Sequence, residues 1–215
     1  MPDATTFALF AAACLAFLAI PGPSVFYIVT RSLVQGRRAG VTSMLGVQAG
    51  GMVHVVAAAV GVSALIASSA AAFAVVKYAG AAYLVFLGMR KLLGRDGGEA
   101  ELEVESLGER STAHLFTHGV IVNVLNPKTA LFFLAFLPQF VDPSAGPVAP
   151  QMLVLGTMLV GLGVLSDGTY ALLAAGAGNR LRRAVATRRR LEKLSGGVFV
   201  GLGVIAALAG EPRRS

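Results

Sequence analysis

Two proline motifs interrupt apolar segments of this sequence, and their residue types could build a binding site. The motifs are Pro21, Gly22 and Pro23 in the first half and Asn126, Pro127 and Lys128 in the second. Proline lacks a backbone donor and disturbs the preceding helical turn, whereas Asn and Pro both favour the start of a helix. We therefore predict two broken helices whose half-helix N-termini approach one point, where N–H groups and positive dipole ends suit a carboxylate. For either motif alone, a simple proline kink is the alternative.

Lys128 and Asp167 are charged residues inside apolar segments, and each is a candidate for direct chemistry. Placing a lysine in lipid costs at least about 2.5–3.5 kcal/mol, so Lys128 is expected to face a polar cavity and to bind a substrate carboxylate. Asp167 is expected to carry a coupling proton or to bind a substrate ammonium group. A permanent salt bridge between the two side chains is the alternative to both roles.

His54 completes the predicted proton-coupling set with Asp167, because histidine exchanges protons near neutral pH. The alternative for His54 is a hydrogen-bonded residue of the core. Gln48, Asn123 and Tyr170 are plausible polar neighbours of the cavity, judged from their positions in the apolar segments.

Metal-binding signals in the sequence are weak. His114 and His118 are four residues apart and share a helical face, but two histidines alone do not specify a metal site. The single cysteine, Cys14, lies in an apolar run, where a cysteine behaves as a small hydrophobic residue. We predict no metal site, no cofactor and no disulfide.

The composition is that of an integral membrane protein. The 215 residues are 55% hydrophobic and only 13% charged, whereas about a quarter of a soluble chain is charged. Long uncharged stretches cover residues 4–30, 39–76, 143–166 and 194–210, and about 20 such residues cross a bilayer as a helix. The first stretch lacks a basic leading region, so it is expected to be a retained helix and not a signal peptide.

Six membrane spans fit the chain. Their approximate bounds are residues 5–30, 39–66, 73–89, 114–137, 151–178 and 194–209. The links after the first, third and fifth spans hold most of the 18 Lys and Arg residues, and we expect them to be loops. Basic links favour the cytoplasmic side, so both termini are predicted to lie outside. This placement explains the net charge of +7 without a nucleic-acid partner.

A weak internal repeat divides the chain into two halves. The stretch from Lys77 resembles the stretch from Lys193, and the two proline motifs also correspond. Each half has three predicted spans, so the second half must be inverted in the membrane. The predicted fold is an all-α integral membrane protein, with six transmembrane helices as two inverted three-helix repeats and broken helices in spans one and four. One transporter domain covers 1–215, with repeat one at about 5–90, a cytoplasmic linker at about 90–113 and repeat two at about 114–210.

The sequence resembles the LysE/RhtB family of bacterial amino-acid exporters over essentially its whole length. The resemblance is carried by Pro-Gly-Pro at 21–23, Asn-Pro-Lys at 126–128, Ala-Phe-Leu-Pro-Gln-Phe at 135–140 and Leu-Val-Phe-Leu-Gly at 84–88. It implies export of amino acids or close derivatives through the bacterial plasma (inner) membrane, by exchange with protons or another coupling ion. Members of the family differ in substrate, and nothing in the sequence selects among lysine and arginine, threonine and homoserine, leucine, or cysteine derivatives.

Other functions stay open as alternatives to an amino-acid exporter. Export of a different solute or of a divalent metal is one of them, although three His and one Cys disfavour metal. A non-transporting membrane scaffold is another, but it leaves Lys128 and Asp167 unexplained. An enzyme is not expected, because no known nucleophile or metalloprotease motif is present. A homo-oligomer is compatible with the Gly-rich helix faces.

Overall fold

The computed structural model describes residues 2–68 and 109–184, together with single helical positions at 75, 78, 82, 85, 86 and 89. All regular structure in these parts of the chain is helical. The predicted sixth span, most of the predicted linker and most of the predicted third span lie outside the described residues. The part of the chain that the structure describes is therefore all-helical, and the complete six-span arrangement stays a prediction.

The first predicted span is a broken helix, as expected from its prolines. Helix α1 covers Ala4–Ala19 and starts at Asp3, whose side chain accepts a hydrogen bond from the Thr6 N–H at 2.7 Å. The backbone is extended at Ile20. Segment α2 then covers Pro23–Ser68 and consists of two helices that meet at a kink at Gly36.

The predicted break between the first two spans lies at Gly36, where two helices meet at a kink, and the predicted loop is reduced to this one residue. The only residue inside α2 with non-helical backbone angles is Gly36, with φ of 79° and ψ of −171°. Glycine adopts this left-handed backbone conformation without the steric penalty of a side chain. The Arg and Ala residues around it are good helix formers, so a second helix begins at once. This second helix folds back on the first, since a Cβ on Gly40 would clash with the Ser32 side chain.

The second break lies between α3 (Thr112–Val124) and α4 (Pro127–Leu131). Helix α4 continues as a π-helical turn over Phe132–Phe136 and a 3-10 turn over Leu137–Phe140. The two segments on either side of the break are bent by 48°. After a 3-10 turn at Pro143–Ala145, helix α5 covers Val148–Ala184. The predicted break at Asn126-Pro127 is confirmed.

Two stretches in the described part of the chain are long and apolar enough to cross a membrane. They are Pro23–Gly61 in α2 and Val148–Gly176 in α5. The bent pair Thr112–Val124 and Pro127–Phe140 is a third if it is counted as one broken span, and α1 is a shorter apolar helix.

Close packing of α2 against α3 and α5 brings the two breaks together. A Cβ on Gly119 of α3 would lie only 2.7 Å from the Ser43 carbonyl oxygen of α2, so the two backbones are in direct contact. Aromatic rings join α1 to the π-helical turn: the Phe17 and Phe132 ring centres are 4.3 Å apart. These contacts place the end of α1 beside the start of α4.

Candidate functional site

The two helix breaks line one cavity of about 60 Å³. A buried water needs about 10–15 Å³ by this measure, so the cavity has room for several waters. Its polar lining consists of Ser24, Gln48, Asn123, Asn126, Lys128, Thr129 and Asp167. Its apolar lining includes Phe17, Leu18, Val25, Val47, Phe133, Leu159 and Val160. The site is therefore polar around both breaks and at Gln48 and Asp167, and apolar elsewhere.

Three of the six residues predicted to bind substrate line the cavity, namely Gly22, Asn126 and Lys128. The three prolines are absent from its lining. Pro21 is buried in the first break, whereas Pro23 and Pro127 are exposed and occupy the first positions of α2 and α4. The prolines thus determine the backbone path, and their neighbours supply the polar groups.

A network of hydrogen bonds connects the two breaks to each other. The Asn126 side-chain amide donates to Ser24 Oγ at 2.8 Å, and Ser24 Oγ in turn donates to Asn123 Oδ1 at 3.2 Å. Thr129 Oγ1 donates to the same Asn123 oxygen at 2.9 Å. Asn123 Nδ2 donates to the Val47 carbonyl at 2.7 Å. These four polar side chains are buried and mutually bonded, which makes this wall of the cavity rigid.

Lys128 binds the end of α1. Its ammonium group donates to the carbonyl of Phe17 at 2.8 Å and to the carbonyl of Ile20, and it lies 4.2 Å from the centre of the Phe17 ring. The last carbonyls of a helix lack partners within the helix and carry the negative end of its dipole, so a cation suits them. Gly22 makes room for the lysine stem, because a Cβ there would be 3.1 Å from Lys128 Cδ.

Asp167 is the acidic residue of the cavity, and its side chain is only 4% exposed. Its Oδ2 accepts a hydrogen bond from Gln48 Nε2 at 2.7 Å. Its Oδ1 is buried and accepts no hydrogen bond. Lys128 and Asp167 both line the cavity and attract each other electrostatically. Chemically, the Oδ1 atom can take up a proton or an ammonium donor.

His54 is not among the residues that line the cavity. Its Nε2 is 3.1 Å from the Asn123 carbonyl oxygen, and since a carbonyl can only accept, Nε2 carries the hydrogen. The ring stacks on Phe133 with centres 5.7 Å apart. His54 therefore lies behind the cavity wall, in contact with two residues of the lining. Its role in proton coupling stays a prediction.

Sequence reasoning missed Ser24 and Thr129, because a lone hydroxyl in an apolar segment carries no distinctive pattern. Tyr170 does not line the cavity, but its hydroxyl donates to the Ala19 carbonyl at 3.3 Å, beside the first break. Among the residues that the structure describes, no group of three or more His, Cys, Asp or Glu side chains could hold a metal ion. His114 and His118 stack on each other with ring centres 5.7 Å apart.

Comparison with known proteins gives a consistent picture. Residues 15–210 match the family model described as LysE type translocator. The chain is 32% identical to the homoserine/homoserine lactone efflux protein of Salmonella typhimurium over 189 residues, which is 88% of this chain and 89% of the relative. It is 31% identical to the leucine efflux protein of Klebsiella pneumoniae over 190 residues, or 85% of each chain. An uncharacterized membrane protein of Vibrio cholerae is 37% identical over 194 residues, covering 90% of this chain and 92% of the relative. No solved structure gives a significant match.

Proposed function

We propose that this chain, which belongs to the family of LysE type translocators, exports amino acids or close derivatives with uncharged side chains. The observation that carries the proposal is the unpartnered Oδ1 of the buried Asp167, which lies in a cavity formed by two helix breaks. Broken helices that meet at a midplane site are a recurring plan of secondary transporters.

The substrate's ammonium group is proposed to bind Asp167. Similar proteins are named for the efflux of homoserine, homoserine lactone and leucine. All three compounds have an α-amino group, whereas the lactone has no free carboxylate. A site for such compounds needs an acceptor for the ammonium group, and the buried carboxylate provides one. The apolar wall near Phe133, Leu159 and Val160 suits an uncharged side chain.

The substrate's carboxylate, where present, is proposed to face the first turns of α2 and α4. The first N–H groups of a helix have no partner within the helix and favour an anion. Gly22 and Ser24 at one break, and Asn126 and Lys128 at the other, line the cavity at these two starts. The ammonium group of Lys128 adds positive charge on the same side.

Transport is proposed to be proton antiport. Asp167 would hold the substrate's ammonium group in one state and a proton in another, so that outward movement of substrate is coupled to inward movement of protons. We further propose two inverted three-helix repeats that rock against each other around the cavity, in a bacterial plasma membrane, with the basic links in the cytoplasm and both termini outside. The correspondence of the two helix breaks and the distribution of Lys and Arg support this arrangement.

Efflux from intact cells tests the proposal. Cells are loaded with dipeptides that contain leucine, homoserine, lysine or glutamate, and release of each amino acid is followed with and without the protein. We expect faster release of leucine or homoserine and no change for the charged residues. Asp167→Asn should abolish release, because a neutral amide cannot exchange a proton.

Asp142→Asn is the matched control, because Asp142 is an aspartate in the exposed turn before α5 whose carboxylate accepts hydrogen bonds from Ser144, while its backbone, which the substitution leaves unchanged, bonds to Gln151. This variant should transport like the wild type at equal membrane abundance. Full activity of Asp167→Asn would remove Asp167 from the mechanism, and no release of any uncharged amino acid would contradict the proposed substrate class.

A further inference from the structure

We infer that Gln48 is a positioning residue that turns Asp167 so that one oxygen, Oδ1, receives the substrate's ammonium group, and that Gly163 keeps Gln48 in place. The inference rests on the proposed function, because it deepens the account of how that site recognises its substrate.

The first step is the asymmetry of the Asp167 carboxylate. Gln48 Nε2 donates to Oδ2 at 2.7 Å, whereas Oδ1 is buried and accepts no hydrogen bond. A carboxylate oxygen buried without a donor is costly unless a ligand supplies one. Gln48, Asp167 and Gly163 all line the cavity, so Oδ1 belongs to a residue of the cavity wall and is the oxygen left for a ligand.

The second step is the tight fit around the Gln48 amide. A Cβ added to Gly163 would lie 2.7 Å from Gln48 Oε1 and 3.0 Å from Gln48 Nε2, so no residue larger than glycine fits there without moving the amide. Gly163 precedes Asp167 by four residues, which places both on one face of α5. On the α2 side, a Cβ on Gly51 would come to 3.9 Å from the same Oε1. The amide is therefore held closely against the α5 backbone at Gly163, with ordinary contact on the side of Gly51.

The third step concerns the other charged group of the site. The Lys128 ammonium binds the carbonyls of Phe17 and Ile20 at the end of α1. Its charge is therefore held on the side of the first break, while Asp167 faces the cavity from α5. A zwitterionic substrate would orient with its ammonium group toward α5 and its carboxylate toward the breaks.

The experiment measures binding to the purified full-length protein by isothermal titration calorimetry with two fragments of leucine. The first, 3-methylbutylamine, keeps the ammonium group and lacks the carboxylate. The second, 4-methylpentanoate, keeps the carboxylate and lacks the ammonium group. In Gln48→Leu and in Gly163→Ala, we expect the amine to bind about tenfold more weakly, which is the size of one hydrogen bond to a charged group. The acid should bind within twofold of the wild type.

Gly163→Ala keeps every polar group and displaces only the amide, so it carries the test if Gln48→Leu does not fold. Gln139→Leu is the matched control, because the Gln139 amide donates to the Ala135 carbonyl within its own segment and lies outside the cavity lining. It should bind both fragments like the wild type.

Equal weakening of both fragments would show that Gln48 only supports the structure, and unchanged amine binding would show that it does not position Asp167. Either result overturns the inference. The proposed function fails separately, if the wild type releases no amino acid from cells. Because the binding test does not require transport, the two failures can be told apart.

Discussion

The two helix breaks have the same sequence signature but are satisfied in different ways. At the first break, the carbonyls of Phe17, Ala19 and Ile20 accept hydrogen bonds from Lys128 and Tyr170, which lie between 108 and 151 residues further along the chain. At the second break, the backbone N–H groups find their acceptors among neighbours, and the distant His54 adds a donor to the Asn123 carbonyl. Leu125 N–H donates to Ile121, Asn126 N–H donates to the Asn123 carbonyl, and Lys128 N–H donates to Asn126 Oδ1.

This difference shows that the first break depends on the second half of the protein, while the second break is largely stable by itself. The sequence of the second break encodes its own helix cap, since Asn126 accepts from the N–H two residues later. The first break has an unpaired helix end that only distant side chains complete. Removing Lys128, the distant donor to two of these carbonyls, should therefore cost more than removing the local cap.

Lys128→Met should have the largest effect. It leaves the Phe17 and Ile20 carbonyls without their donor, and an unsatisfied buried acceptor costs about 1–3 kcal/mol, so we expect a loss of about 2–4 kcal/mol of stability. The chain has no Trp, so unfolding of the purified protein is best followed by loss of helical circular dichroism. Stability equal to that of the wild type would contradict the dependence of the first break on Lys128.

Asn126→Ala should have an intermediate effect. The substitution removes the cap of α4 and the donor to Ser24, and loss of an Asn cap typically costs about 1 kcal/mol. The same unfolding measurement applies, with Asn126→Ser as a control that keeps a capping side chain. A larger loss of stability than in Lys128→Met would contradict the expectation that the first break is the more dependent on its donor.

Tyr170→Phe should have the smallest effect. Its hydroxyl is 3.3 Å from the Ala19 carbonyl, which is at the long end for such a bond, so we expect about 0.5–1 kcal/mol. Thr169→Val is a suitable control on the same helix, because the Thr169 hydroxyl bonds only to the Leu165 carbonyl within α5. A Tyr170→Phe variant as unstable as Lys128→Met would show that the first break relies on the tyrosine and not on the lysine.

The sequence predicted the positions of both breaks because proline acts locally. Pro23 and Pro127 lack the N–H that a continuing helix requires, and both occupy the first position of a new helix in the structure. The length of the first link could not be predicted in the same way. Its charges indicated where the two helices separate, but the surrounding Arg and Ala residues also favour a helix, so the link is reduced to Gly36.

The partners of the polar residues could not be predicted from the sequence. Lys128 binds backbone carbonyls, and every residue carries one, so no residue type marks the acceptor. The pairing of Gln48 with Asp167 joins residues 119 positions apart. When a helix has apolar residues on nearly every face, hydrophobic periodicity does not show which face lines the cavity.

The distance between Lys128 and Ile20 along the chain also has a consequence for biosynthesis. Lys128 follows Ile20 by 108 positions, and adding that many residues takes roughly 5–20 s at ordinary rates of translation. Throughout this interval the nascent first half contains a helix end whose own donor does not yet exist. Water or the insertion machinery must satisfy these carbonyls until the second half arrives. Membrane quality-control proteases should therefore recognise the newly made first half as unfinished. The first half should become resistant to these proteases only after Lys128 has been inserted.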